Sequence, residues 1–246
     1  MKYEYKEIEF PVFCIMQDNK GYLRPSGYLN IFQQVAALHS EDYDLGNVTL
    51  LANGKAWVVS KNRVKILKNI KDLRYLRCIA WPELEKNIST NRDYKLFCGD
   101  ELIAKGISKW CILDMNQKMP IRLEKNMFPN EYLEEKAFDD EFLSIKTEEF
   151  DTLTFLEDYK IYSYFCDLSK HLNNANYMEF VFDALHLQNE YISEFQIDYI
   201  NQCYEGKILS IYKKDLGSAG IYVCGYSENT LIFKSIVFLK ELEKYE

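Results

Sequence analysis

An internal repeat is the feature of this sequence that most constrains its fold. When residue 18 is placed over residue 167, an offset of 149 positions, QDNKGYLRPSGYLNIFQQVAAL aligns with CDLSKHLNNANYMEFVFDALHL. Asp18 then meets Asp167, and Tyr28 meets Tyr177. A chain of 246 residues is long enough for two domains of about 120 residues each. The repeat therefore predicts two copies of one folding unit.

Each copy contains a segment with the apolar spacing of an amphipathic helix. Apolar residues recur at i, i+3, i+4, i+7 and i+8, which places them on one face of a helix. They are Tyr28, Ile31, Phe32, Val35 and Ala36 in the first copy, and Tyr177, Phe180, Val181, Ala184 and Leu185 in the second. We predict one helix with a single buried face in each copy.

Runs typical of β-strands follow both helices. The first copy continues with AWVVSKNRVKIL, LRYLRCIAWPEL and STNRDYKLFCGDELIAKGISKWCIL, and the second with SEFQIDYINQC, KILSIYKKDL and GIYVCGYSENTLIFKSIVFL. CGDEL and CGYSENTL lie between strand-like runs, where hairpin turns are expected. Each unit thus reads as a short strand, a helix and three or four antiparallel strands, which predicts an α+β double hotdog fold.

The predicted boundaries follow from the same pattern. Residues 1–134 are the predicted N-terminal hotdog, and residues 152–246 are the predicted C-terminal hotdog. The acidic stretch 135–151 between them is the predicted linker.

Composition narrows the class of protein. The N-terminal sequence lacks the apolar core of a signal peptide, and no window has the roughly 18 apolar residues of a membrane span, so we expect a cytoplasmic protein without stable membrane insertion. Seven cysteines without a CxxC pair, and three histidines not spaced with them, predict reduced thiols and no metal site. The net charge of −8 argues against a general nucleic-acid binder.

The charge is unevenly distributed. Residues 1–125 hold 20 Lys and Arg against 15 Asp and Glu, a net charge of +5, whereas residues 126–246 hold 10 against 23, a net charge of −13. A basic run in the first half comprises Lys61, Arg63, Lys65, Lys68, Arg74 and Arg77. This run is either a solvated sheet face or a docking surface for an acidic partner or a phosphate-bearing arm.

The stretch CDLSKHLNNANY is the main candidate for chemistry. Asp167, Ser169 and His171 alternate, so an extended backbone would present them on one side. Asn173 or Asn174 is placed to cap the following helix, whose N-terminus suits a developing oxyanion. An Asn-rich cap with surface polar groups is the alternative. The first copy lacks the His and both Asn residues, which favours chemistry in the second copy.

Four further positions need an interpretation. Gln202 and Cys203 follow the strand after the second helix, and Cys203 could be a thiolate nucleophile or a packed core thiol. His39 and His186 are placed on helices near apolar neighbours, and we predict that both are structural.

At this point the chain resembles the acyl-acyl carrier protein (acyl-ACP) thioesterases. The resemblance covers nearly the whole length and includes GYLRPSGYLNIFQQVAALHSEDYDLG, AWVVSKNRVKI, NRDYKLFCGDELIAKGISKWCILD and CDLSKHLNNANYMEF. The family carries an Asp-x-Asn-x-His-x-Asn-Asn pattern, which falls on Asp167, Ser169, His171, Asn173 and Asn174. Ser169 departs from the family's Asn. The family also has an acidic residue before a Cys on the next strand, and Gln202 and Cys203 stand there.

The resemblance implies a double hotdog that hydrolyses the thioester between a fatty acyl chain and the phosphopantetheine arm of acyl carrier protein, without metal or organic cofactor. It also implies that residues 1–134 supply the acyl pocket and a basic docking face, and that residues 152–246 carry the catalytic residues. Acyl carrier protein is acidic, which would account for the basic first half. Family members often dimerise, so a homodimer is compatible with this interpretation.

Two mechanisms and three functions follow as expectations. In the favoured mechanism, Asp167, Ser169 and His171 activate water, and Gln202 stands where a carboxylate base would be expected; in the alternative, Cys203 attacks with help from His171. Besides acyl-ACP hydrolysis, the chain could be an acyl-coenzyme A thioesterase or a non-catalytic acyl-binding hotdog protein.

Overall fold

The computed structural model describes residues 4–125, 127–128, 130–167 and 170–242. The chain divides into two compact units. The first comprises residues 1–23 and 28–141, and the second comprises residues 24–27 and 142–246. The boundary between Glu141 and Phe142 falls inside the predicted linker 135–151, and the short segment Arg24–Gly27 belongs to the second unit.

The first unit is a helix packed on an antiparallel sheet. Its elements are β1 (Lys6–Pro11), α1 (Pro25–Glu41), α2 (Asn47–Ala52), β2 (Lys55–Ile66), β3 (Tyr75–Pro82), β4 (Thr90–Cys98), β5 (Glu101–Asp114) and the two-residue β6 (Met119–Pro120). The strands follow the order β1-β3-β4-β5-β2, with β6 beside β5. The turn in CGDEL joins β4 to β5, as the sequence predicts.

The second unit repeats this arrangement. Its elements are β7 (Thr154–Lys160), α3 (Asn176–Ala184), β8 (Glu190–Tyr199), β9 (Ile208–Asp215), β10 (Ile221–Ser227) and β11 (Thr230–Glu241). The strand order β7-β9-β10-β11-β8 corresponds strand for strand to the order in the first unit. The predicted α+β double hotdog is therefore confirmed.

Both predicted helices bury their apolar face. Tyr28, Ile31, Phe32 and Val35 are at most 3% exposed. The Phe32 ring stacks on Tyr94 of β4 with centroids 4.4 Å apart. This close packing requires Gly106 on β5, because a Cβ there would lie 2.3 Å from the Phe32 ring. In α3, the buried residues are Tyr177, Met178, Phe180, Val181 and Ala184.

The predicted linker is irregular chain that packs against its own unit on each side of the boundary. In the first unit, Ala137 and Phe138 are buried, and the Ala137 amide donates to Asp93 Oδ1 at 2.9 Å. In the second, Ile145 is buried, and the Leu143 amide donates to Gln196 Oε1 at 2.6 Å. Residues 135–151 therefore contribute to both cores.

One local prediction is wrong. His186 lies beyond the end of α3, in a turn where its φ angle is +48°. The apolar spacing continues to Leu185, but the helix ends at Ala184 and Leu185 is its C-cap. The periodicity therefore extended the predicted helix past its true end.

Candidate active site

The candidate stretch forms a tight turn in the second unit. Cys166 and Leu172 form an antiparallel bridge across it. The Asp167 amide donates to the His171 carbonyl, and the Lys170 amide donates to the Asp167 carbonyl, both at 2.9 Å. Lys170 adopts a left-handed conformation with φ +62°. Ser169 lies outside the described residues.

The turn pairs with the chain that follows β8. The Leu172 amide donates to the Cys203 carbonyl at 2.8 Å, and His171 forms an antiparallel bridge with Tyr204. This pairing brings together the two segments that the sequence singled out, although Leu172 and Cys203 are 31 positions apart in the chain. His171 and the segment beginning at Gln202 are thus neighbours.

Side chains meet at the same place. The His171 and Tyr204 rings pack edge to face, with centroids 4.7 Å apart and planes at 71°. The Tyr204 hydroxyl donates to Gln202 Oε1 at 3.0 Å. His171 is half-buried, whereas Gln202 and Tyr204 are exposed. The imidazole is therefore next to polar groups that solvent and a substrate can reach.

The asparagine pair shapes the chain just before α3. Asn173 Oδ1 accepts from the Ala175 amide at 3.0 Å, and the Asn173 amide donates to Phe165. The Asn174 carbonyl accepts the Tyr199 hydroxyl at 2.8 Å. The N-cap residue of α3 is Ala175, and no side chain caps it. In contrast to the prediction, neither Asn173 nor Asn174 occupies the N-cap. Because Asn173 Oδ1 faces the turn, its NH₂ group points away from that bond.

The first turn of α3 also contacts the segment Arg24–Gly27, which belongs to the same unit. Ser26 Oγ donates to Glu179 Oε2 at 2.6 Å, and Arg24 forms an ion pair with Glu179. Glu179 lies in the first helical turn, where a carboxylate interacts favourably with the positive end of the helix. No sequence pattern connects Arg24, which is in the first half of the chain, with Glu179 of α3.

The cysteine at the site is a buried thiol. Cys203 is 1% exposed, and burial raises the pKa of its side chain, against the lowering effect of a hydrogen bond with Ser227. Burial also raises the pKa of the half-buried Cys166, as do the nearby carboxylates of Glu205 and Asp167. A thiolate, which is the nucleophilic form, is therefore disfavoured at both positions.

Arg63 differs from the exposed docking residue that strand alternation predicts. It is 6% exposed, and its Nη1 donates to the Asp140 carbonyl at 2.7 Å. Its guanidinium lies 4.4 Å from the Phe138 ring centroid and lowers the pKa of the Asp140 carboxyl. The irregular segment around Phe138 covers this part of the sheet, so Arg63 is a buried anchor for that segment.

The other members of the basic run are more accessible. Lys65, Lys68 and Arg74 are exposed, and Lys61 and Arg77 are half-buried. Lys68 pairs with Glu101, and Arg77 packs over the Phe97 ring at 4.3 Å. The five accessible members, here named the basic strip, lie on β2, on β3 and on the connection between them, and Arg63 is the buried member of the run.

His39 is a structural histidine within the first unit. It is 1% exposed, with Nε2 2.6 Å from Glu4 Oε1 and Nδ1 2.8 Å from Arg92 Nη1. Burial, together with the Arg92 charge, lowers the pKa of His39 to about 4, although Glu4 acts in the opposite direction. The imidazole is therefore neutral at pH 7 and donates to Glu4 while accepting from Arg92.

The described residues contain neither a metal-binding cluster nor a membrane-spanning helix. Within 4–125, 127–128, 130–167 and 170–242, no group of three or more His, Cys, Asp or Glu side chains could hold a metal ion. Across the same part of the chain, none of the helices has both the length and the apolar character needed to cross a membrane.

Comparisons with known proteins agree with this architecture. A profile of the acyl-ACP thioesterase N-terminal domain matches residues 2–130, and a profile of the C-terminal domain of the same enzymes matches residues 149–232. A comparison with curated protein sequences finds no significant match.

Solved structures show the same fold. An acyl-ACP thioesterase from Bacteroides thetaiotaomicron is similar with a TM-score of 0.86 and 18% identity, over 96% of this chain and 98% of that one. A protein described as an oleoyl thioesterase from Lactobacillus plantarum is similar with a TM-score of 0.85 and 13% identity, over 98% of each chain. The 12:0-ACP thioesterase from Umbellularia californica is similar with a TM-score of 0.82 and 14% identity, over 96% of this chain and 97% of that one. The chain belongs to the acyl-ACP thioesterase family and is a thioester hydrolase.

Proposed function

We propose that this protein hydrolyses fatty acyl-ACP to a free fatty acid and holo acyl carrier protein. The observation that carries the proposal is the junction of the two predicted site segments. His171, at the position of the family's histidine, lies on a turn that is hydrogen-bonded to the Gln202–Tyr204 segment.

In the proposed reaction, water attacks the thioester carbonyl carbon. His171, with Asp167 and Ser169, orients the water and accepts its proton as the C–O bond forms. The side-chain NH₂ groups of Asn173 and Asn174 and the positive end of α3 stabilise the oxyanion of the tetrahedral intermediate. The C–S bond then breaks, and the phosphopantetheine sulfur leaves with the proton that His171 holds.

The state of Cys203 supports water over cysteine as the nucleophile. A thiol that is 1% exposed, with a raised pKa, is a poor candidate for direct attack on a bulky thioester. Its carbonyl accepts from Leu172, so its backbone has a structural task in the site. We therefore propose that Cys203 packs beneath the site.

Gln202 departs from the family's acidic residue, and this changes the role available to the position. A carboxamide cannot act as a carboxylate base, but it can donate a hydrogen bond. Because Gln202 Oε1 accepts from Tyr204, its NH₂ group points away from that bond. We propose that this NH₂ group helps to bind the thioester or the attacking water.

The exposed basic strip supports the choice of carrier. Lys65, Lys68 and Arg74 lie on the first unit, where they would attract an acidic carrier protein. A coenzyme A thioester offers a smaller set of phosphate charges and no protein surface. The strip therefore favours acyl-ACP over the alternative acyl-coenzyme A substrate.

The central experiment measures thiol release from a panel of acyl-ACP substrates of different chain length. We expect hydrolysis by the wild-type protein, near-complete loss in Asp167→Ala, and nearly full activity in Cys203→Ala. Burst kinetics with an acyl group trapped on Cys203 would contradict the water mechanism. Absence of hydrolysis with every substrate would favour a non-catalytic acyl-binding protein.

A second experiment tests the carrier. Charge reversal by Lys65→Glu and Arg74→Glu should raise KM for acyl-ACP several-fold and leave KM for the matching acyl-coenzyme A within about twofold. Lys118→Glu is the matched control, because Lys118 is also an exposed lysine of the first unit but lies outside the basic strip. Equal effects on both substrates would count against carrier docking at this strip.

A further inference from the structure

Tyr204 is absent from the sequence motif, yet it contacts two residues of the candidate site. Its ring lies against the His171 imidazole at 4.7 Å, and its hydroxyl donates to Gln202 Oε1 at 3.0 Å. Its backbone forms an antiparallel bridge with His171. We propose that Tyr204 is a positioning residue that holds the His171 ring for catalysis. This inference rests on the proposed function, because it assigns His171 a role in hydrolysis.

Hydrogen bonds hold the backbone on both sides of His171, but they do not set the side-chain torsions that orient its ring. The His171 carbonyl accepts from the Asp167 amide, and the neighbouring Leu172 amide donates to Cys203. These bonds fix the Cα–Cβ direction but not the ring torsions. A histidine that moves protons must keep one nitrogen aimed at the reacting water, so a contact that limits ring rotation favours catalysis.

The hydroxyl of Tyr204 makes the contact more rigid. Tyr204 is 49% exposed, and an exposed tyrosine would ordinarily sample several rotamers. The hydrogen bond to Gln202 restricts it and keeps the ring edge to face with His171. The ring and the hydroxyl therefore have separable effects, since phenylalanine preserves the first and removes the second.

The corresponding bridge of the first unit shows that this pairing can carry other side chains. There Tyr22 bridges Lys71, and the Lys71 ammonium lies 5.2 Å from the Tyr22 ring centroid. The backbone contact is thus part of the fold in both units. The pairing of an imidazole with a phenol is specific to the second unit, as the candidate site is.

The test compares Tyr204→Phe and Tyr204→Leu with the wild-type protein. We expect kcat to fall about tenfold or more in Tyr204→Leu and only a few-fold in Tyr204→Phe, with KM changed less than twofold in both. Tyr5→Leu is the matched control, because Tyr5 has the same 49% exposure but lies in the first unit. It should leave kcat unchanged.

Kinetic outcomes also separate this inference from the proposed function. Loss of activity in His171→Ala together with wild-type kcat in Tyr204→Leu would overturn the role of Tyr204 alone. A Tyr204→Phe variant as impaired as Tyr204→Leu would overturn the positioning role of the ring. Full activity in His171→Ala would instead contradict the proposed mechanism.

A spectroscopic readout tests the contact without relying on turnover. The chain has three histidines, so the His171 ring-proton resonance can be assigned by its disappearance in His171→Ala. We expect this resonance to move in Tyr204→Leu, where the ring current is lost, and to stay close to its wild-type position in Tyr204→Phe and Tyr5→Leu. An unmoved resonance in Tyr204→Leu would overturn the contact in solution.

Discussion

The turn before each helix is closed by equivalent backbone bridges in the two units but carries different side chains. Gln17 bridges Leu23 in the first unit, and Cys166 bridges Leu172 in the second, each pair at the offset of 149 seen in the sequence. Both turns contain a residue with positive φ, Gly21 at +85° and Lys170 at +62°. The turn is therefore a feature of the fold, and chemistry depends on what it carries.

The aspartates of the two turns make this distinction concrete. In the first unit, Asp18 Oδ1 accepts from the amides of Lys20 and Tyr22, at 2.8 and 2.9 Å. Asp18 therefore stabilises its turn in a unit where Tyr22, not a histidine, stands at the position that corresponds to His171. An aspartate at this position is thus insufficient to identify an active site, and the specific signal of the second turn is His171 with the two asparagines.

The largest expected effect on kcat comes from removing the imidazole of His171, which corresponds to Tyr22 in the first turn. We expect His171→Ala to reduce kcat by about 100-fold or more, since a general acid–base group contributes at least that much. The corresponding change in the first unit, Tyr22→Phe, keeps the buried ring and should leave kcat within about twofold. Steady-state kinetics on acyl-ACP measure both. A comparable loss in Tyr22→Phe would show that the two turns share the chemistry.

The anchors of the irregular segment 135–151 also differ between units, and they give a prediction on pH. In the second unit, Gln196 bonds both Leu143 and the Asp198 carboxylate. In the first, the Ala137 amide meets Asp93. Burial and the neighbouring Glu83 raise the pKa of Asp93 to about 7, against the lowering effect of that amide. The first unit thus uses a protonated carboxyl where the second uses an amide.

Asp93→Asn replaces the titratable carboxyl that anchors segment 135–151 in the first unit by a carboxamide, the group that Gln196 supplies in the second unit. In the wild-type protein the folded state holds the Asp93 proton up to about pH 7, whereas the unfolded chain releases it near pH 4. The Asp93 contribution to the free energy of unfolding therefore decreases as pH rises from about 4 to about 7. The variant lacks this decrease, so its stability relative to wild type should improve from pH 5 to pH 8. Urea unfolding at both pH values measures the difference, and a pH-independent difference would contradict the prediction.

The two sheets can be compared through a close-approach glycine in each. A Cβ at Gly106 would lie 2.3 Å from the Phe32 ring, and a Cβ at Gly225 would lie 2.3 Å from the Phe233 ring. We expect Gly106→Ala and Gly225→Ala each to lower the free energy of unfolding by about 1–3 kcal/mol through overpacking. At Gly99, a turn with φ +58°, nothing lies within 4 Å. Gly99→Ala thus serves as a control for backbone strain, and denaturant unfolding should separate the two costs.

The smallest expected effect concerns the aspartate of the first turn. Asp18→Ala removes an acceptor for two amides and should lower the free energy of unfolding by about 1 kcal/mol, as for the loss of a helix cap. kcat should be unchanged. Thermal unfolding and steady-state kinetics test the two halves of this expectation. A fall in kcat without a loss of stability would mean that the first turn takes part in catalysis.

Local patterns predicted much of the fold and singled out the segments of the candidate site. Helical periodicity located α1 and α3, and the alternating runs located β2 to β5 and β8 to β11. The motif of the second turn made His171 and the asparagines candidates, because these residues are neighbours in sequence. What the patterns missed was the end of α3 at Ala184 and the segment that covers Arg63. The cover of Arg63 depends on contacts with residues distant in sequence. The end of α3 is a local turn at His186, which has a φ angle of +48° and which the apolar spacing does not encode.

The sequence by itself determined that the chain contains two copies of a helix-and-strand unit, and that only the second copy carries the histidine and paired asparagines. Hydrophobic periodicity and local motifs encode these properties directly. The tertiary structure decided that Cys203 is buried, that Tyr204 packs on His171, and that Arg63 is covered. These properties depend on strand pairing and chain packing, which join residues that no local pattern connects.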